Sequence, residues 1–383
     1  MKIYLDNAAT TMIDPKVLEA MQPYLKNNYG NASSIHDIGQ ASRFAIDKAR
    51  EQVAGFLNCK PKEVIFTGSA SEADNIAVLS FKGHIVTSAI EHPAILEACR
   101  HLEKNGVKIT YLPAYKDGLV KVEDVEKAIK PETSLVSIMY ANNEIGTIQP
   151  IAEIGAMLKR VNEKRENKIY FHTDAVQAVN YLNCDVAQLG VDMLTLSAHK
   201  IYGPKGVGVL YTRHGVPVNP IIFGGHQEKS LRPGTESVFS IVGLGESVGQ
   251  AQTSQKDKDK ILELRDKLIN GILEAIPQTT VNGSMESRLP NNINFSFRGA
   301  EGEAIVMSLD QEEIAASTGS ACSLGSLDPS HVLLALGLSR KQAHGSLRLT
   351  LGKYNTEKEI NNVIEVLPGI IARLRQISGH KIQ

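Results

Sequence analysis

The feature that most constrains this chain is the regular exchange of short apolar runs with helical tracts between Glu63 and Ser197. The runs at 64–67, 85–88, 107–112, 135–140, 169–173 and 193–197 are strand-like, and several are followed by a polar or glycine-bearing turn and a helical pattern. Such alternation predicts a mainly parallel sheet with helices on its faces. The last run breaks the rule. Only eight residues (198–205) separate it from the next strand-like run, 209–211. A parallel crossover needs about a dozen residues or more, so this pair is expected to be antiparallel. The fold class is therefore α/β: a mainly parallel sheet with one antiparallel strand, flanked by helices, plus a smaller α+β part.

The flanks fill in the rest. Residues 3–5 read as a strand, followed by the polar stretch 6–11. Asp14 is placed as an N-cap with Pro15 at the first helical position. Val17, Leu18, Met21, Tyr24 and Leu25 follow at helical spacing, and 28–30 stops the helix. The loop 29–36 leads to a long amphipathic helix whose apolar face includes Phe44, Ala49, Val53, Phe56 and Leu57. After Thr235 a helical tract runs to Ile276 with interruptions. Strands are expected near 292–297 and 346–350, and a final helix at 356–377. A chain of 383 residues suits about two domains. The expected division is a large domain at 16–258 and a small one made of 1–15 and 259–383.

Charge and cysteine usage exclude several classes. With 41 basic against 42 acidic residues the net charge is -1, which gives no general attraction to nucleic acid or to a membrane surface. No apolar run approaches the roughly 20 residues of a membrane span. The start, MKIYLDNAATT, lacks the long apolar region of a signal peptide. Cys59, Cys99, Cys184 and Cys322 form no CxxC pair, so neither a metal site nor a disulfide framework is expected. A reduced, cytoplasmic setting follows.

Ligands of open α/β sheets lie beyond the carboxyl ends of the strands. Gly68-Ser69-Ala70-Ser71 follows the first run and opens a helix, where backbone N–H groups and hydroxyls can face an anion. Glu91 and His92 follow the second; Asn142, Asn143 and Glu144 follow 135–140. Asp174 and Gln177 follow 169–173, and His199 and Lys200 follow Ser197. Together they meet the needs of pyridoxal phosphate. A phosphate suits Ala70, Ser71, Ser197 and His199; an aldehyde suits the Lys200 amine; a ring nitrogen suits the Asp174 carboxylate. Asn143 and Gln177 can bond the ring oxygen, and the His92 imidazole can cover the ring. Each residue also has an ordinary structural alternative: Ser71 and Asp174 as helix caps, Asn143 in a turn, His92 as a buried, satisfied histidine, Lys200 on the surface.

Motifs in this order resemble the cysteine desulfurases of the NifS/IscS family, which are aminotransferase-like, fold type I pyridoxal phosphate enzymes. The resemblance runs nearly end to end: YLDNAATT at the start, FTGSASEADN from Phe66, EH at Glu91, NNEIG from Asn142, HTDAVQ from His172, SAHKIYGPKGVG from Ser197, RPGT from Arg232, TGSACS from Thr318 and LRLTLG from Leu347. It implies that the large domain binds the cofactor, with Lys200 as the Schiff-base lysine and His92 as the ring-stacking acid–base group. Asp174 would face the pyridinium, with Asn143 and Gln177 at the ring oxygen. Ala70, Ser71, Ser197 and His199 would hold the phosphate, with Thr235 reaching in from a neighbouring subunit of a homodimer. Arg348 would bind the substrate carboxylate, and Asn7 and Ala8 would line the substrate side.

The same resemblance makes Cys322, on the small domain, the nucleophile. It lies in STGSACSLGSLDPS, a run of small residues that makes a poor core and reads as a mobile loop. The implied reaction converts L-cysteine to L-alanine and leaves a persulfide on Cys322 for a sulfur-acceptor protein such as an iron–sulfur scaffold. The rivals are a selenocysteine lyase or another pyridoxal phosphate enzyme of the same fold, and a non-catalytic scaffold. Cys59, Cys99 and Cys184 fit ordinary packing roles. The chain departs from the family at Ala32 (usually proline), Ser71 (commonly threonine) and Lys229-Ser230 (usually Arg-Gly), none of which removes a catalytic group.

Overall fold

The computed structural model describes residues 2–251, 255–319 and 328–380. In chain order, β1 (Ile3–Tyr4) leads to α1 (Pro15–Lys26) and α2 (Asp37–Leu57). The alternating region follows as β2 (Val64–Thr67), α3 (Ala70–Leu79), β3 (His84–Ser88), α4 (Pro93–Lys104), β4 (Ile109–Leu112), α5 (Val122–Ala128) and β5 (Thr133–Ser137). It continues with α6 (Ile151–Asn162), β6 (Tyr170–Asp174), α7 (Val186–Leu189), β7 (Met193–Ser197) and β8 (Gly208–Thr212). Then come α8 (Val238–Ala251), α9 (Gln255–Ala275), β9 (Thr279–Val281), β10 (Asn292–Phe297), α10 (Gly302–Gln311) and β11 (Ile314–Ala315). The described chain closes with α11 (His331–Ala335), α12 (Arg340–His344), β12 (Ser346–Thr350) and α13 (Glu357–Ile377).

The large sheet has seven strands in the order β2-β8-β7-β6-β5-β3-β4. β8 runs antiparallel to both of its neighbours, and the remaining pairs are parallel. The short connection 198–205 thus forces the reversal that its length predicts. Strands β2, β3, β7 and β8 are buried at every position, as expected for a sheet covered on both faces. One apolar core joins this sheet to α2, α6 and α8. A second is built from α9, β10, β12 and α13, and Ile3 and Leu5 belong to it although they stand at the other end of the chain. The reason is pairing: β1 lies parallel to β11, and Asp6 bridges to Thr350.

Local signals place the ends of several elements. Asp14 caps α1, accepting from the Lys16 N–H at 2.9 Å with Pro15 in the first turn. Thr356 and Glu359 form a capping box at the start of α13. One expectation fails. Phe44, assigned to the buried face of the long helix, is 72 % exposed. The inward stripe of α2 runs through Ala45, Ile46, Ala49, Val53 and Leu57 instead, so Phe44 lies one step round the helix from the core. Ser230, where the family usually has glycine, stands at φ 63°. That left-handed backbone costs a side-chain-bearing residue about 1 kcal/mol or more.

Candidate active site

The carboxyl ends of β2, β3, β5, β6 and β7 converge on a cavity of about 630 Å³. Around it the structure gathers Ala8, Ala70, Ser71, His92, Asn143, Asp174, Gln177, Ser197, His199, Lys200 and Arg348. These positions lie up to 340 residues apart, between Ala8 and Arg348. Most of them meet because every strand of a parallel sheet delivers its following loop to the same edge, whereas Ala8 follows β1 and Arg348 lies on β12, outside that sheet.

Asp174 closes β6 and forms part of the floor. It is 6 % exposed, and its Oδ1 accepts the Val176 N–H at 2.9 Å. Burial raises its carboxyl to about 6, opposed by that N–H and by the Lys200 charge, so it is mostly ionised at neutral pH. Lys200 closes the short 3₁₀ turn after β7. Its Nζ donates to the carbonyls of Ala8 at 2.5 Å and Ala9 at 2.7 Å. Gln177 Nε2 donates to the same Ala8 carbonyl at 3.0 Å, which ties the N-terminal segment across the mouth of the cavity.

His92 is the N-cap of α4. Its Nδ1 accepts the Ala94 N–H at 3.1 Å, so in the neutral ring the proton sits on Nε2. Burial, Lys200 and His331 lower it to about 4, which keeps the imidazole neutral. His199 is lowered to about 4 by burial and two lysines, and its Nδ1 lies 3.2 Å from Thr10 Oγ1. Asn142 and Asn143 divide their work. Asn142 Oδ1 takes the Glu144 and Ile145 N–H groups and so braces the turn, while Asn143 lines the cavity.

The opposite end of the cavity is the start of α3. Ser69, not Ser71, is the cap, with its hydroxyl accepting from the Glu72 N–H at 3.1 Å. Ala70 and Ser71 occupy the first turn, where unpaired N–H groups and the helix dipole favour an anion. Gly208 lets the strand pass close beneath: a Cβ there would meet Ser69 C at 2.7 Å and the Ala70 N at 2.8 Å. An anion-binding helix start, a primary amine, a buried carboxylate and a neutral imidazole in one cavity fit pyridoxal phosphate by charge and by donor type.

Arg348, on β12, is 3 % exposed and spans the side of the cavity. Its Nη2 lies 2.7 Å from Asp6 Oδ1, its Nη1 donates to the Asn143 carbonyl at 2.9 Å, and its Nε has no partner among the described residues. Asn7 does not line this cavity. Its Nδ2 donates to the Thr350 carbonyl at 2.8 Å, and it borders an adjoining cleft. Thr235 is exposed and stands apart from the cavity of its own chain. Cys322 lies outside the described residues. The other three thiols are pushed up to about 12 by burial, which leaves them inert at neutral pH.

Three participants went unread in the sequence. Asp6 holds Arg348, Met139 lines the cavity, and Asp74 sits on its floor. Asp74 carried a usable signal: on α3 it follows Ala73 and precedes Ile76 and Ala77, an acid within the helix stripe that faces the sheet.

The profile of the class-V aminotransferases matches residues 3–363. The chain is 49 % identical to the cysteine desulfurase IscS of Clostridium botulinum, over 98 % of this chain and 96 % of that protein. It is 49 % identical to that of Dictyoglomus turgidum, over 99 % and 97 %. A solved NifS-like protein superimposes with a TM-score of 0.89 at 36 % identity, covering 97 % of this chain and 100 % of that one. The chain belongs to the class-V aminotransferase family, whose members bind pyridoxal phosphate on this fold. Within that family it is a cysteine desulfurase of the NifS/IscS group, as its motifs predict.

Proposed function

We propose that this chain desulfurates L-cysteine at the cavity described above, with Lys200, His92 and Cys322 as its catalytic residues. The observation that carries the reading is the Lys200 amine at the mouth of a cavity whose lining includes the buried Asp174 carboxyl. Pyridoxal phosphate, when bound, supplies an aldehyde to join the amine and a ring that takes up negative charge from the substrate. Ala70, Ser71, Ser197 and His199 would hold its phosphate, Asp174 would pair with its ring nitrogen, and Asn143 and Gln177 would bond its ring oxygen. Arg348 binds the substrate carboxylate, with Ala8 on that side. Lys200 or His92 takes the α-proton. The Cys322 thiolate then attacks the substrate sulfur. Its S–S bond forms as the C–S bond breaks, the carbon keeps the electron pair and gains protons to become alanine, and the persulfide stays on Cys322. A sulfur-acceptor protein, such as an iron–sulfur scaffold, takes the sulfur onward in the cytoplasm.

A homodimer completes this reading. Tyr29, Ile35, Phe44 and Phe223 are 77 %, 95 %, 72 % and 86 % exposed. Arg43, beside Phe44, ties the 29–35 segment to the residue next to Thr235: its Nε donates to the Ala32 carbonyl at 3.3 Å, and its Nη2 lies 3.0 Å from Glu236. A second copy on this apolar face would bring the exposed Thr235 toward the phosphate end of the neighbouring cavity. The test of the function is to incubate the enzyme with sulfur-labelled L-cysteine. Wild type should release alanine and carry label on Cys322. Cys322→Ala should keep the absorbance of the bound cofactor near about 400 nm yet carry no label, and Lys200→Ala should lose both. Normal labelling of Cys322→Ala would overturn the proposal.

A further inference from the structure

Asp74 is only 1 % exposed, lines the cavity, and has an Oδ1 without a hydrogen-bond partner among the described residues. A buried acid with an orphan oxygen is costly unless the site uses it. The groups facing it come from three elements. β6 supplies Asp174 and His172, whose Nε2 lies 3.6 Å from Asp74 Oδ1. β7 supplies the Thr195 hydroxyl, which bonds the carboxyl, and the turn after β3 supplies Glu91. His172 is no counter-charge. Burial lowers it to about 3, and its two nitrogens already lie 2.9 Å from Ser137 Oγ and 3.1 Å from Thr195 Oγ1.

Two carboxyls thus share one buried pocket, and of the cations that line it, Lys200 is the one that acts on Asp174. Adjacent buried carboxyls cannot both ionise without a balancing charge; one of them keeps a proton. Burial and the negative charge of Asp174 both push the Asp74 carboxyl well above its ordinary range. The following inference rests on the reading of Asp174 as the partner of the cofactor's ring nitrogen. We propose that Asp74 is a positioning residue that keeps its proton beside Asp174, so that the cavity floor presents one anion and a neutral donor rather than two competing anions. With Asp74 neutral, the negative charge stays on Asp174, beneath the place where a protonated ring nitrogen needs it. Were Asp74 ionised, the shared proton would move to Asp174 and the ring would face a neutral acid.

Two measurements test this on the full-length protein. First, infrared difference spectra of wild type against Asp74→Asn, with and without cofactor, should show the carbonyl stretch of a protonated carboxylic acid at neutral pH that the variant lacks. A carboxylate signal in its place overturns the proposal, whatever happens to the other variants. Second, pyridoxal phosphate labelled with ¹⁵N reports the protonation of its ring nitrogen as pH is varied. Asp74→Asn, which keeps the size and a neutral donor, should titrate as wild type does. Asp74→Leu, which has no donor, should lose the ring proton at a pH about one unit lower. A shift in Asp74→Asn as large as in Asp74→Leu overturns the proposal. An Asp174→Asn control separates the two layers. A ring signal that ignores Asp174→Asn overturns the reading of Asp174 and the proposal with it. One that responds to Asp174→Asn but not to Asp74→Leu overturns the proposal alone.

Discussion

Glu91, the residue before His92, sets up a stability effect whose size follows from the structure. Its side chain is 0 % exposed, its Oε1 accepts the Ser88 hydroxyl at 2.6 Å and the Met139 N–H at 2.9 Å, and its Oε2 has no partner among the described residues. Burial is the largest influence and raises the carboxyl from 4.5 to about 8, against the opposing pull of the Ser88 and Met139 hydrogen bonds. Between those two values the folded chain holds a proton that the unfolded chain has released. Stability therefore falls as pH rises through this window. The interval is 8 − 4.5 = 3.5 pH units. At about 1.4 kcal/mol per unit this amounts to about 5 kcal/mol at pH 8 and about 3 kcal/mol at pH 7. Glu91→Gln keeps the shape and the accepting oxygen but cannot ionise, and its amide replaces an O–H that lacks a partner equally. The two proteins should then be alike within about 1 kcal/mol near pH 5. The variant should gain steadily on wild type up to about pH 8. Urea midpoints measured from about pH 5 to pH 8 read this directly, because every other titrating group is common to both proteins. Parallel stability curves, or a gap that widens in favour of wild type, would refute the reasoning.

Two further outcomes follow from the same geometry. Arg348→Lys replaces a planar fork, already oriented by Asp6 and the Asn143 carbonyl, with a single ammonium; the KM for L-cysteine should rise roughly 10- to 100-fold in steady-state assays while cofactor absorbance is retained. Phe44→Asp places a charge among the exposed apolar side chains proposed to meet a second copy, so sedimentation should show a monomer, and cofactor retention should weaken roughly tenfold as Thr235 of the neighbour is lost.

Local chemistry made much of this protein legible in its sequence. Each strand-like run carries its own apolar pattern, and Asp14-Pro15 announces the start of a helix by a bond to a backbone N–H two residues away. The reversal at β8 could be read because it depends only on the length of one connection. Lys200, Asp174, Asn143 and His92 were legible for a related reason: the parallel sheet brings the ends of its strands to one edge, so a list of strand-end residues is already a list of neighbours. Strand limits were less secure. The run 135–140 reads as one strand, yet β5 is Thr133–Ser137; Ile138 and Tyr140 still donate to the His172 and Asp174 carbonyls of β6, so the apolar pattern and the backbone bonds to β6 run on past the end of the regular strand.

By itself, then, the sequence determined the alternation, the one antiparallel strand and the chemistry offered at each strand end, since all three are written in contacts between near neighbours along the chain. Only the tertiary structure decided that Asp6 would grip Arg348, that Asp74 and Glu91 would lose their water, and that Phe44 would face outward. Those outcomes depend on how elements from separate parts of the chain, from 48 residues apart for Glu91 and Met139 to 342 for Asp6 and Arg348, pack together. Burial and charge–charge distance are properties of that packing, and no window of neighbouring residues contains them.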